Sequence, residues 1–232
     1  MKTALVTGAS LGLGRALARA LAEEGWRLVL DARGAEQLGA VVEQLRSMTE
    51  VEGVVGDVTD ASHRAELVER VGEGGLDLLV HNASTLGPGG LKPLRSHTAT
   101  ELRAVFETNV VAPALLTGQL LPVLLRVRGV VVTISSDAAV GHYETWGGYG
   151  ASKAALDHVA LTLAAEQPDL AVYAVDPGDM RTAMHQAAFP GEDISDRPEP
   201  ESAVAPLLGL VTDRPPSGRF RASDLARVEV AR

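Results

Sequence analysis

A chain of 232 residues is long enough for one domain to bury a substantial core without disulfides or structural metals. The absence of cysteine excludes disulfides, thiolate zinc sites and cysteine nucleophiles. A formal charge of −9 with only 3% aromatic residues argues against a nucleic-acid partner, which needs cationic surface and rings to stack on bases. None of the six histidines, at 63, 81, 97, 142, 158 and 185, stands at H-E-x-x-H or a related ligand spacing, so a protein-held metal has no support.

Along the chain, short β-branched apolar runs alternate with amphipathic stretches of helical period. The start, Met1 to Val6, combines a lysine with a short apolar run, but Gly8 interrupts it before a signal-peptide core forms. No uninterrupted apolar run is long enough to span a bilayer, and a cytoplasmic location without membrane contact is the expectation. Strands are predicted at Thr3 to Thr7, Arg27 to Leu30, Val51 to Val55, Leu76 to His81, Gly129 to Ser135, Leu170 to Val175 and Gly218 to Arg221. Between them fall helices at Gly12 to Glu24, Ala35 to Met48, Ala61 to Val71, Thr100 to Arg126 and Tyr149 to Glu166. Pro113 and Pro122 should bend or divide the fourth of these, and Pro168 stops the fifth. Residues 179–200 read as a loop on the substrate side, its end polar and proline-rich, and Glu201 to Thr212 as a short helix. Residues 1–232 therefore form one α/β domain: a mainly parallel, doubly wound sheet of seven strands with helices on both faces.

Three local patterns carry chemistry. Between the first strand and helix lies Thr7-Gly8-Ala9-Ser10-Leu11-Gly12-Leu13-Gly14, whose glycines let a pyrophosphate approach the helix amino terminus and its unpaired N–H groups. After the second strand stand Asp31, an acid suited to an adenosine ribose, and Arg33, a cation suited to a 2′-phosphate. Tyr149 and Lys153, four apart on a helix, face one pocket, where a cation would lower the phenol from its ordinary pKa of about 10. Ser136, thirteen positions before Tyr149 and at the carboxyl end of a strand, is placed to hold a substrate oxygen in the same crevice.

Together these pieces resemble the short-chain dehydrogenase/reductase family in its compact single-domain, Rossmann-fold form. The resemblance covers nearly the whole chain and runs in the family's order through the glycine turn, Asp57-Val58, Asn82-Ala83, Asn109, Ile134-Ser135-Ser136, Tyr149-x-x-x-Lys153 and Pro177-Gly178. It implies that Tyr149 is the acid or base at the substrate oxygen and that Ser136, rather than Ser135, positions that oxygen. Lys153 would bind the nicotinamide ribose while depressing the phenol's pKa, and Asn109 would hold a relay water. On the cofactor side it implies Gly8, Ser10, Gly12, Leu13 and Gly14 around the phosphates, and Asp57 and Val58 at the adenine. Asn82 and Ala83 would flank the cofactor, and Pro177, Gly178 and Thr182 would receive the amide.

The resemblance also sets the expected activity: hydride transfer between a nicotinamide cofactor and a carbonyl or secondary alcohol of modest, partly apolar character. The other readings are a non-catalytic nucleotide-binding regulator and an epimerase or dehydratase. Arg33 with Ala32 beside it favours NADP, while Asp31, and Leu11 where many NADP enzymes carry a basic residue, keep NAD as the alternative. His81-Asn82-Ala83-Ser84 departs from the usual Asn-Asn-Ala-Gly at two positions, which should change local packing and not catalysis. His142 is a candidate substrate contact, and a homodimer or homotetramer built on the long helices is expected.

Overall fold

The computed structural model describes residues 1–229, so the last three residues of the predicted domain lie outside it. Among the described residues, β1 (Thr3–Val6), β2 (Arg27–Ala32), β3 (Val51–Val55), β4 (Leu78–His81), β5 (Val130–Ile134), β6 (Ala171–Asp176) and β7 (Gly218–Arg221) form one sheet. Its order is β3-β2-β1-β4-β5-β6-β7, and every adjacent pair is parallel. The chain winds outward from β1 to β3, then crosses back to lay β4 against the other side of β1. Ligands bind at such a reversal, outside the carboxyl ends of the strands.

The inner strands β1, β2, β4, β5 and β6 are rich in Val, Leu and Ala because helices cover both faces, while the edge strands β3 and β7 are more polar. Leu28, Leu30, Leu78, Val80 and Val132 pack against α1 (Gly12–Glu23) and α2 (Ala35–Leu45), joined by α8 (Val204–Asp213). Alternate residues Leu5, Val29, Leu79, Val131 and Val172 meet α3 (Ala61–Val71), α5 (Ala112–Val127) and α6 (Gly147–Glu166). With few aromatics available, close packing of these aliphatic side chains supplies both layers. The one large ring among the fully buried side chains, Tyr173, satisfies its hydroxyl by donating to the Pro215 carbonyl at 2.8 Å.

Three expectations are corrected. The predicted helix Thr100 to Arg126 is α4 (Ala99–Phe106), a π-turn over Glu107–Val111, and then α5, with the break before the prolines. Pro113 lies in the first turn of α5, has no N–H for the Asn109 carbonyl four residues back, and so the α register does not run through. Pro122 is accommodated inside α5. Second, the 179–200 loop contains a helix, α7 (Ala183–Ala188), capped by Thr182, whose hydroxyl accepts from the His185 N–H at 3.1 Å. Third, the helical run Ala99–Val127, at 29 residues with mean hydropathy 1.7 in its most apolar window, is long and apolar enough to cross a membrane by length and composition. Here its inner face, Leu116, Leu120 and Leu124, is fully buried on the sheet. A short final helix, α9 (Ala222–Glu229), follows β7.

Candidate active site

A cleft of about 460 Å³ opens over the carboxyl ends of the strands, floored by the β1 and β4 termini. At one end is the glycine turn. Helix α1 starts at Leu11 without a side-chain cap and carries no acid in its first turn, whereas α3 and α4 are capped by Asp60 and Thr98. Its first N–H groups are thereby left for an anion. A side chain at Gly14 would place its Cβ 2.3 Å from the Gly8 carbonyl oxygen, and Gly8 itself sits at φ +64°, so both positions require glycine. Asn82 secures this turn from β4: its amide donates to the Thr7 and Gly8 carbonyls at 3.0 and 2.9 Å, while Thr7 Oγ1 accepts the N–H groups of Asn82 and Ala83 at 3.1 Å each. Gly8, Ser10, Gly12 and Leu13 line the cleft, with Gly14 buried beneath. A narrow turn that no side chain could enter, joined to an uncapped helix start, fits a dinucleotide pyrophosphate.

Asp57, Val58, Asn82, Ala83, Pro177, Gly178 and Thr182 also line the cleft. Thr182 leans over the turn from α7, its methyl 3.2 Å from where a Gly12 Cβ would stand. Asp57 accepts from the Thr59 N–H and hydroxyl at 2.9 and 2.8 Å, so it shapes the loop as well as the wall. Arg33 is on the rim, its side chain 76% exposed and 3.9 Å from Asp57. Asp31, 2% exposed, also lines the cleft, but both its oxygens are engaged: Oδ1 lies 2.6 Å from His63 Nε2, and Oδ2 accepts from the Gly8 N–H at 3.4 Å.

At the other end, Tyr149 and Lys153 share the buried face of α6 and meet Ser136 in the cleft. Ser136 caps the turn after β5, accepting from the Ala138 N–H at 3.1 Å and donating to Asp137 at 3.0 Å. Ser135 is tied away, its hydroxyl donating to Asp157 at 2.7 Å, so Ser136 is the serine left to face the phenol. Lys153 Nζ donates to the Ile134 carbonyl at 2.7 Å, and burial lowers its pKa to about 8. The depressed phenol expected from sequence is not found in the protein alone. Burial pushes Tyr149 up, and hydrogen bonding with Ser136 and Ser84 offsets only part of that rise.

Asn109 is fully buried in the π-turn and does not line the cleft. Its amide accepts from the Thr85 N–H at 2.9 Å and the Ser84 hydroxyl at 3.2 Å, and donates to the Thr85 carbonyl and Ser152 at 2.9 Å each. The side chain therefore has no capacity left for a relay water and acts as a clamp on the loop after β4. His142 is exposed and outside the cleft wall, which corrects the substrate-contact expectation. Trp146, Met180, Met184 and His185 line that end instead, with the Trp146 ring 5.8 Å from both Tyr149 and Phe189. The folding of 183–188 as a helix brings Met184 and His185 to this end. His81, the departure from Asn, is buried, is held near pKa 3 by desolvation, and lies 2.7 Å from Thr117 on α5, a partner that sequence did not reveal.

The family described as short chain dehydrogenase matches residues 2–193. The chain belongs to the short-chain dehydrogenase family. Among relatives of this short-chain dehydrogenase, the uncharacterized oxidoreductase YciK of Escherichia coli is 33% identical over 217 residues, covering 90% of this chain and 85% of YciK. The serine 3-dehydrogenase of Agrobacterium fabrum is 32% identical over 186 residues, 78% of this chain and 72% of its own. A Shigella flexneri short chain dehydrogenase solved in complex with NADP superposes with a TM-score of 0.89 at 33% identity, covering 96% of this chain and 97% of that one.

Proposed function

We propose that this short-chain dehydrogenase is an NADP-dependent reductase of a small carbonyl compound, or dehydrogenase of the matching secondary alcohol, with Tyr149 handling the proton at the substrate oxygen. The observation that carries the reading is the single cleft that joins the glycine turn at one end to Ser136, Tyr149 and Lys153 at the other. A nicotinamide dinucleotide, when bound, supplies the hydride. The chain supplies alignment and the proton. Ser136 Oγ is fixed by the turn it caps and can orient an oxygen by hydrogen bonding. A phenol held above its ordinary pKa is protonated at neutral pH, which suits it to donate to the oxygen of a carbonyl being reduced. Lys153, at about 8, has an ammonium ready to engage the ribose hydroxyls and bring that phenol down once the site is filled.

For the 2′-phosphate form, support comes from Arg33 exposed at the rim while Asp31 is occupied by His63, and from the Shigella flexneri relative's complex with NADP. The apolar wall of Trp146, Met180 and Met184 favours a partly apolar substrate. Val111, Leu115 and Leu161, exposed on the long helices, support self-association through them. The test is a panel of carbonyl compounds followed by NADPH absorbance. Turnover of at least one is expected, and Tyr149→Phe should reduce it by more than about a hundredfold with unchanged cofactor affinity. Unaltered turnover in that variant would refute the role of Tyr149, and tight cofactor binding with no turnover of any compound would point to the regulator.

A further inference from the structure

The buried pair beneath the adenosine end of the cleft is built from residues that the catalytic reading does not use. Asp31 is the acid at the end of β2 that would be expected to take a ribose, yet both of its oxygens are engaged, one by His63 and one by the Gly8 N–H. His63 is 7% exposed and comes from the first turn of α3, whose start is fixed by Asp60 accepting from the Ser62 N–H at 2.8 Å. The backbone makes room for it: a Cβ at Gly56, the residue following β3, would lie 2.2 Å from His63 Nδ1. Gly56 does not have a positive φ, so it is the ring and not the chain path that requires glycine there. At 2.6 Å, the contact is of charge-assisted length. Its surroundings favour a charged imidazole, because Asp31 chiefly, and Glu66 and Asp57 after it, raise the His63 pKa against the opposing effect of burial.

We propose, resting on the reading above, that His63 is a specificity-determining residue: it holds Asp31 beneath the adenosine end, so that Arg33 is the charge which meets the cofactor's 2′ substituent. An unpaired carboxylate within a few ångströms of a 2′-phosphate repels it, whereas the same carboxylate accepts hydrogen bonds from a 2′,3′-diol. One sequence position thus carries an acid that selects against the phosphate when free and is silent when paired. Neither the acid nor the arginine alone decides the preference.

The experiment measures dissociation constants of NADPH and NADH, by quenching of protein fluorescence, for the wild type, His63→Leu, Asp31→Asn and the double variant. Wild type should favour NADPH. His63→Leu should lower the NADH-to-NADPH ratio of dissociation constants at least tenfold, and adding Asp31→Asn should restore it. Should His63→Leu fail to fold, Asp31→Asn alone remains decisive: a ratio within threefold of wild type supports the proposal, and a tenfold rise in NADPH preference overturns it by showing that Asp31 already reaches the site. A ratio untouched by His63→Leu, or lowered and not restored in the double variant, also overturns it while leaving the reductase reading intact. Wild type without preference for NADPH removes the role of Arg33 and this proposal together, and wild type that binds neither nucleotide removes the proposed function as well.

Discussion

Lys153 shows how much of a residue's behaviour depends on where the fold puts it. Its side chain is 2% exposed, and desolvation lowers its pKa from 10.5 to about 8, with Asp157 opposing the shift. Between those two values the unfolded chain holds the proton more tightly than the folded one, so stability rises with pH across that window. Conversely, the full cost of burying the ammonium is present below about pH 8. Lys153→Met removes that cost and also removes the bond to Ile134. Whatever the net change at pH 7, the stability of the variant relative to wild type should fall by up to about 3 kcal/mol between pH 7 and pH 10.5. Urea denaturation at the two pH values measures this, and a difference independent of pH would mean that the lysine is not desolvated. The spacing of Tyr149 and Lys153 was legible in sequence because α-helical geometry is local; the upward pull on the phenol was not, because it comes from what packs around it.

At the scale of elements, the π-turn between α4 and α5 is the part of the fold that local rules misplaced. Prolines pointed to a break, and Pro113 does prevent the α register, but the resulting wide turn falls just before it and directs Asn109 inward. There the amide bridges the turn, the Ser84-Thr85 loop and Ser152 on α6 through four hydrogen bonds. Asn109→Ala would leave the half-buried Thr85 N–H and carbonyl, and the buried Ser152 hydroxyl, without these partners. A loss of about 2–4 kcal/mol is expected, since each stranded group costs its desolvation. Chemical denaturation checks it; a loss below about 1 kcal/mol would show that the loop relaxes to water. Turnover should fall as well, because Ser84 helps set the environment of Tyr149.

Across the whole molecule, the last strand closes the site from outside the stretch that matches the family. Arg219 on β7 donates to Asp157 on α6 at 2.9 Å and to the Ser136 carbonyl at 2.8 Å, and lies 3.7 Å from Asp176 at the end of β6. Ser135 donates to the same Asp157 oxygen. One guanidinium therefore joins the ends of three strands to the helix that carries Tyr149. Arg219→Met would strand Asp157, 7% exposed, without its cation, and should destabilise the protein by about 3 kcal/mol. Arg219→Lys should recover part of this. Thermal or urea unfolding of both variants is the check, and equal stability of wild type and Arg219→Met would show that the network contributes nothing.

The seven strands, the glycine turn before α1 and the placing of Tyr149 and Lys153 on one helix face followed from the sequence alone. Each is encoded in short-range patterns: alternation of apolar runs, glycines at one turn, and residues four apart on a helix. Only the tertiary structure decided that Asp31 is paired with His63, that Asn109 is saturated, that His142 stands outside the cleft and that α7 roofs it. These depend on contacts between residues 24 to 43 positions apart or on the packing of a loop against the sheet. A sequence specifies which groups a site can draw on, but hydrogen-bond saturation and desolvation are properties of the neighbours that folding brings together.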